Sequence, residues 1–291
     1  MKVHYYPGCT LKLKAKNLED AAIASLEMLG VEMKEIERWN CCGAVHSLTD
    51  DDLIHQVAPV RDLIRVKEQG GKKVVTICSM CYNTLARANA LMQTDEEKRD
   101  TINLFMDEET DYFGEVEVIH LLNFLKTEVG WDHLREKVQF PLKDWKIAPY
   151  YGCTLQRPRE VGIEPIGSFE LMTGFLEALG ATVVGFPAAA FCCGSYQVLA
   201  NSDAAGDASA KILNLAKVAG AEMLATSCPL CEYNLGKKQG DLIAAQKIAQ
   251  NIPTLYFTQL LAIALGLSSE VCRFDLNDAA VVELLKSKNF N

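Results

Sequence analysis

Ten of the eleven cysteines fall into two sets of five. Cys9, Cys41, Cys42, Cys78 and Cys81 make the first, and Cys153, Cys192, Cys193, Cys228 and Cys231 the second. Thirty-one residues separate Cys9 from Cys41, against 38 between Cys153 and Cys192. Cys42 and Cys78 are separated by 35, Cys193 and Cys228 by 34. Scattered core cysteines would not repeat at offsets of 144 to 151 residues, so the pattern is a duplicated metal or redox site. Only Cys272 is left over, and it reads as a buried or spare thiol.

A Cys-x-x-Cys pair at a strand-to-helix junction lets two thiolates converge, where helix amides favour their charge. Alone this motif fits zinc and redox sites equally. The adjacent Cys-Cys discriminates, because neighbours do not readily form a relaxed disulfide while their sulfurs can bind different metals of one cluster. Five thiolates exceed the four that a tetrahedral zinc takes. A soft set without interleaved His or carboxylate suits iron–sulfur clusters. Gly43 and Gly194 are expected to let backbone pass close to a cluster.

The elements that must position these thiols read as an alternation. Lys2 to Tyr6 is a strand delivering Cys9, and Asn17 to Leu29 has helical spacing ended by Gly30. Val31 to Ile36 is a strand before Cys41 and Cys42, and Asp50 to Glu68 is helical. The strand Lys73 to Ile77 ends at Cys78, and a helix covers Cys81 to Leu91. This order predicts an α/β fold of two pseudo-symmetric domains, each a mostly parallel sheet with flanking helices. Cluster sites are expected at strand-end loops that face each other. Residues 94–114 read as a polar connecting segment. The boundary is placed near Phe140-Pro141, giving domains 1–141 and 142–291. Further echoes support duplication. Tyr5 to Leu11 resembles Tyr150 to Leu155, Ser25 to Gly30 resembles Gly174 to Gly180, and His120-Leu121-Leu122 aligns loosely with Gln259-Leu260-Leu261.

The chain has 291 residues, 49% of them hydrophobic and 23% charged, enough for two globular cores. A net charge of −9 argues against nucleic acid or an anionic membrane as partner. With no apolar signal core at the start and no run long enough to span a membrane, a cytoplasmic location is expected. In that reducing compartment this cysteine density indicates metal binding or catalysis.

The pattern Cys…Cys-Cys-Gly…Cys-x-x-Cys, present twice, resembles the duplicated cysteine-rich domain of the heterodisulfide reductase B subunit from methanogens. The segments Cys41-Cys42-Gly43-Ala44-Val45-His46 and Cys78-Ser79-Met80-Cys81-Tyr82-Asn83 bring it close to that family. The resemblance implies that each five-cysteine set ligates a noncubane 4Fe–4S cluster. It also implies reduction of the mixed disulfide of coenzyme M and coenzyme B, CoM-S-S-CoB, to two thiols during methanogenesis. Two facing sites could take one sulfur each.

Other residues carry competing readings. His46 is a proton-donor candidate for a departing thiolate, or it merely caps a loop. Lys12 and Lys14 (with Lys16) after Cys9, and Arg157 and Arg159 after Cys153, could bind an anionic substrate, or they are solvated helix starts. Tyr82-Asn83 and Tyr233-Asn234 could bond cluster sulfur, or pack the following helix. No dinucleotide or P-loop fingerprint and no compact ferredoxin motif occurs, so neither NAD nor flavin is expected. Electrons should come from a partner. The resemblance implies a ferredoxin-like C subunit and a flavin-bearing A subunit, with hydrogenase or formate dehydrogenase attached. Two rivals stay open: an electron-transfer subunit of a lactate or glycolate oxidising complex, and a scaffold holding structural metal.

Overall fold

The computed structural model of the protein describes residues 1–44, 52–288 and 290. Its strands are β1 (Lys2–Tyr6), β2 (Glu32–Glu35), β3 (Lys73–Thr76), β4 (Glu117–His120), β5 (Lys146–Pro149), β6 (Thr182–Val183), β7 (Met223–Thr226) and β8 (Thr254–Tyr256). They form two four-stranded sheets of order β2-β1-β3-β4 and β6-β5-β7-β8, parallel throughout. The chain is thus two copies of one α/β unit. The inner strands are buried on both faces, which is why Val74-Val75 and Met223-Leu224-Ala225 read as unbroken apolar runs.

In each sheet the strand order reverses between the first strand and the third. That leaves a crevice at their carboxyl ends, the usual place for a ligand in an open parallel sheet. Cys9 follows β1, Cys41 and Cys42 follow β2, and Cys78 follows β3. Cys153, the pair Cys192–Cys193, and Cys228 follow β5, β6 and β7 in the same way.

The copies exchange helices. The helix Phe257–Ala264 after β8 packs against Lys16–Met28 of the first copy, and Thr258 Oγ1 donates to Leu18 O at 2.9 Å. Reciprocally, the short helix Leu121–Phe124 after β4 packs on Glu170–Ala178. Leu18 and Leu26 are fully buried in this contact, each worth about 1.5–3 kcal/mol.

Two expectations change. The 94–114 segment contains a helix, Glu96–Phe105, whose N-cap Asp95 accepts from Lys98 N at 3.1 Å. Ile102 is its one fully buried residue, too thin an apolar face to show as periodicity. The strand register also corrects the tail alignment. Thr76 pairs with His120 and Thr226 with Tyr256, so His120 corresponds to Tyr256 and not to Gln259.

Candidate metal centres

Each set of five thiols is assembled from three strand ends. Cys9 Sγ lies 3.4 Å from Cys41 Sγ, and the thiols of Cys41, Cys42, Cys81 and Cys78 interact in that order. In the second copy Cys228, Cys231 and Cys193 interact, the last two at 3.5 Å, and Cys153 interacts with Cys192. Cys42, Cys78, Cys81, Cys193, Cys228 and Cys231 are buried, whereas Cys41 and Cys192 are exposed. Sharing of protons splits the pairs. Its interaction with Cys153 draws Cys192 down to about 6, while the same interaction pushes Cys153 up.

The two sets meet at the pseudo-twofold axis. Cys78 interacts with Cys228, which holds the Cys78 thiol below its ordinary value. One residue along, Ser79 Oγ lies 2.6 Å from Ser227 Oγ and both serines are fully buried. The two Cys-x-x-Cys turns therefore form one continuous buried junction. Among the described residues, no three or more His, Cys, Asp or Glu are arranged to hold a single metal ion. Five soft sulfurs per set, drawn together from separate loops, fit a cluster with several metals instead.

Backbone reaches sulfur at Gly43 and Gly194, whose amides bond Cys41 and Cys192, and also at two glycines that were not singled out. A Cβ at Gly8 (φ 74°) would sit 2.8 Å from Cys81 Sγ, and one at Gly152 (φ 66°) 3.3 Å from Cys231 Sγ. Gly194 also lies against the helix Ser202–Val218, where a Cβ would meet Ala205 Cα at 2.6 Å. The signal was legible: a glycine precedes the first cysteine of both sets.

The surroundings of the sets differ. Beside the first, Asp62 accepts from Asn40 N at 2.8 Å and from Asn40 Nδ2 at 3.3 Å. Burial pushes its carboxyl up to about 8 despite that backbone bond, and the nearby Cys42 adds to the rise. Beside the second, neutral groups do the equivalent work. Ser209 Oγ donates to Cys193 O at 2.9 Å, and Asn234 Nδ2 donates to Cys193 O, Ser195 O and, at 3.5 Å, Cys193 Sγ. Among the described residues Asn83 makes no matching bond. Its Nδ2 reaches into the other copy, to Thr154 O at 2.9 Å and Arg157 O at 2.7 Å. The extra residue after Cys231, relative to Cys81-Tyr82-Asn83, coincides with a π-helical turn at Tyr233–Lys237.

The basic residues divide. Lys12 is not available to an anion: its ammonium bonds Glu19 at 2.8 Å and Glu35 at 2.5 Å. Burial opposes its charge, but these bonds outweigh it and raise the pKa. Arg157 is exposed and donates to Ala190 O at 3.0 Å. Lys14 and Arg159 are exposed, and Lys14 borders a cavity between the copies. His46 lies outside the described residues. Cys272 is buried, and burial pushes its thiol up to about 12.

A cysteine-rich domain model designated CCG matches residues 3–86 and 147–236. The chain belongs to the CCG cysteine-rich domain family and carries that domain twice. The 8-methylmenaquinol:fumarate reductase membrane anchor subunit of Wolinella succinogenes is 34% identical over 268 residues, covering 91% of this chain and 93% of its own. The B subunit of the Ferredoxin/F(420)H(2)-dependent CoB-CoM heterodisulfide reductase of Methanosarcina acetivorans is 29% identical over 292 residues, covering 98% and 96%. A hypothetical protein from Helicobacter pylori superposes with a TM-score of 0.75 at 13% identity, which shows the fold alone. The match covers 95% of this chain but about half, 51%, of that one. No helix among the described residues is long and apolar enough to cross a membrane.

Proposed function

We propose that this chain, as domains 1–141 and 142–291, is a cytoplasmic oxidoreductase subunit that reduces a disulfide at two iron–sulfur sites. Cys9, Cys41, Cys42, Cys78 and Cys81 would hold one noncubane 4Fe–4S cluster. Cys153, Cys192, Cys193, Cys228 and Cys231 would hold the other. Bound clusters would supply two one-electron centres and iron able to take a thiolate sulfur. The observation carrying the reading is the junction beside Cys78 and Cys228, where Ser79 and Ser227 hydrogen-bond across the copies and the two thiols interact electrostatically. Two electrons could then be delivered together, as cleavage of one disulfide into two thiols requires.

The chain's own residues supply the frame. Gly8 and Gly152 make room beside sulfur, Ser79 and Ser227 clamp the junction, and Asn234 donates to Cys193. Such donors tune a cluster's potential. CoM-S-S-CoB is the proposed substrate, supported by the full-length similarity to proteins named for its reduction. Ferredoxin-like and flavin-bearing subunits, with hydrogenase or formate dehydrogenase behind them, would feed electrons. The 34% identity to a protein named for a menaquinol:fumarate reductase favours a second reading, electron relay within a quinol-linked complex.

The deciding experiment begins with iron and acid-labile sulfide on anaerobically purified protein, expected at about eight irons per chain for two four-iron clusters. CoM-S-S-CoB reduction by the loaded chain with reduced methyl viologen follows. Full iron without disulfide turnover would transfer the assignment to the relay reading. Zinc in place of iron would end both.

A further inference from the structure

Beside the junction the two copies are not equivalent. In the first copy the residue after the Cys-x-x-Cys turn is Tyr82, and its phenol donates to Val161 O of the second copy at 2.9 Å. Tyr82 also packs edge-on against His120, with ring centroids 5.8 Å apart. Together with the Asn83 bonds to Thr154 O and Arg157 O, this pins Tyr82 to the second copy, although Tyr82 still borders a cleft of about 320 Å³ beside Ala86 and Val161. The pseudo-symmetric pair is Glu232 and Tyr256, and no segment covers it in the same way. A cavity of about 360 Å³ lies there, within the ~300–1,000 Å³ range of small-molecule sites.

Its walls come from both copies: Thr10 and Ala15 from the first, Leu199, Leu230, Tyr256 and Glu232 from the second. Lys14 and Lys237 also border it, and apart from these and the carboxyl the lining is mostly apolar and aromatic. Glu232 is only 3% exposed, and its Oε1 has no hydrogen-bond partner among the described residues. Its Oε2 is loosely held, 3.5 Å from the Tyr256 hydroxyl and 4.0 Å from Lys237 Nζ. Oε1 is enclosed beside Gly236, so an incoming donor would meet Oε2, whose present contacts are long. On the other side the corresponding place is held by an aromatic ring with a hydroxyl, Tyr82 itself.

We propose that this cavity binds a small aromatic hydroxyl compound, the class that includes quinols, with its O–H donating to the Glu232 carboxyl and its ring against Leu230 and Tyr256. The site opens between Thr10, next to Cys9, and Leu230, between Cys228 and Cys231. A bound molecule would therefore lie beside both thiol sets. A compound whose oxygens only accept hydrogen bonds leaves the carboxyl unsatisfied and is disfavoured.

The test uses the full chain purified anaerobically, with 1-naphthol and its methyl ether, 1-methoxynaphthalene, as redox-inert probes in equilibrium dialysis. 1-Naphthol should bind about tenfold or more tightly than the ether, the factor expected for one hydrogen bond to a carboxyl group. Glu232→Leu should abolish that preference while retaining both ligands weakly. Val198→Trp, at the cavity edge and away from the cysteine turns, should weaken both. Iron content and far-UV circular dichroism, measured on each variant, show whether the fold is kept. Equal binding of the two probes, or naphthol binding unaffected by Val198→Trp in a folded variant, would overturn the site. Because the readout is binding, this result is separate from the iron analysis that tests the metal centres.

Discussion

Tyr82 and Glu232 occupy the same place in the two copies and each borders a cavity, yet Tyr82 is pinned to the other copy by its hydroxyl while Glu232 is loosely held. The same divergence runs beneath the thiols, where a buried acid, Asp62, flanks the first set and the neutral Ser209 and Asn234 flank the second. Fusion of the copies allows this. Two separate chains related by exact symmetry would have to pin or free both sides together. A single chain can pin one side with its own Gln156–Val161 stretch and leave the other loose.

The comparison breaks most completely at the axis. Cys9→Ser should remove about half of roughly eight irons per chain, leaving the second set filled. Cys78→Ser should remove more than half, because Cys78 interacts with Cys228. Equal losses in the two variants, measured as iron and acid-labile sulfide, would show that the junction does not couple the sets.

Next come the glycines. Gly8→Ala forces a left-handed alanine, at about 1–2 kcal/mol, and also drives a methyl to 2.8 Å from Cys81 Sγ. Gly152→Ala meets Cys231 Sγ at the looser 3.3 Å. Urea denaturation of the metal-free variants should show Gly8→Ala the more destabilised, by about 1 kcal/mol or more. The reverse order would mean that the second copy holds its turn more tightly.

A third contrast lies in His120 against Tyr256. His120 is fully buried, with Nε2 bonded to Ile77 O at 2.9 Å and Nδ1 accepting from Leu122 N at 3.3 Å. Burial holds its pKa near 3, far below the unfolded value. Between the two values the unfolded chain binds the extra proton, so stability falls as pH drops below about 6.5, by up to about 1.4 kcal/mol per unit. In metal-free protein His120→Gln should flatten that acid slope in urea midpoints recorded from pH 7 to pH 4. An unchanged slope would assign the acid sensitivity elsewhere, with the ion pair of Arg65 and Glu109 next to test.

The smallest effect is expected from Tyr82→Phe, which leaves Val161 O without its donor at a cost of about 1 kcal/mol. Its sharper use is in the probe assay, since a loosened contact should admit 1-naphthol at a second site.

Much was legible from residue type and spacing alone. Two five-cysteine sets, the glycine before each, and the strand–helix alternation follow from local chemistry and the periodicity of side chains. They specify a duplicated α/β unit with thiols at strand ends. The helix Glu96–Phe105 escaped because it buries a single side chain fully, and the match of His120 to Tyr256 needed the strand register. The availability of a charge was also beyond spacing, since Lys12 is neutralised by Glu19 and by Glu35 on a different element. Tertiary structure alone decided that Cys78 meets Cys228, that Tyr82 is pinned to the other copy, and that Glu232 is left loosely bonded. The reason is physical: the first two are contacts between copies, set by how two sheets dock through exchanged helices, and the third depends on side chains brought together from separate elements of the second copy, so sequence spacing carries no record of them.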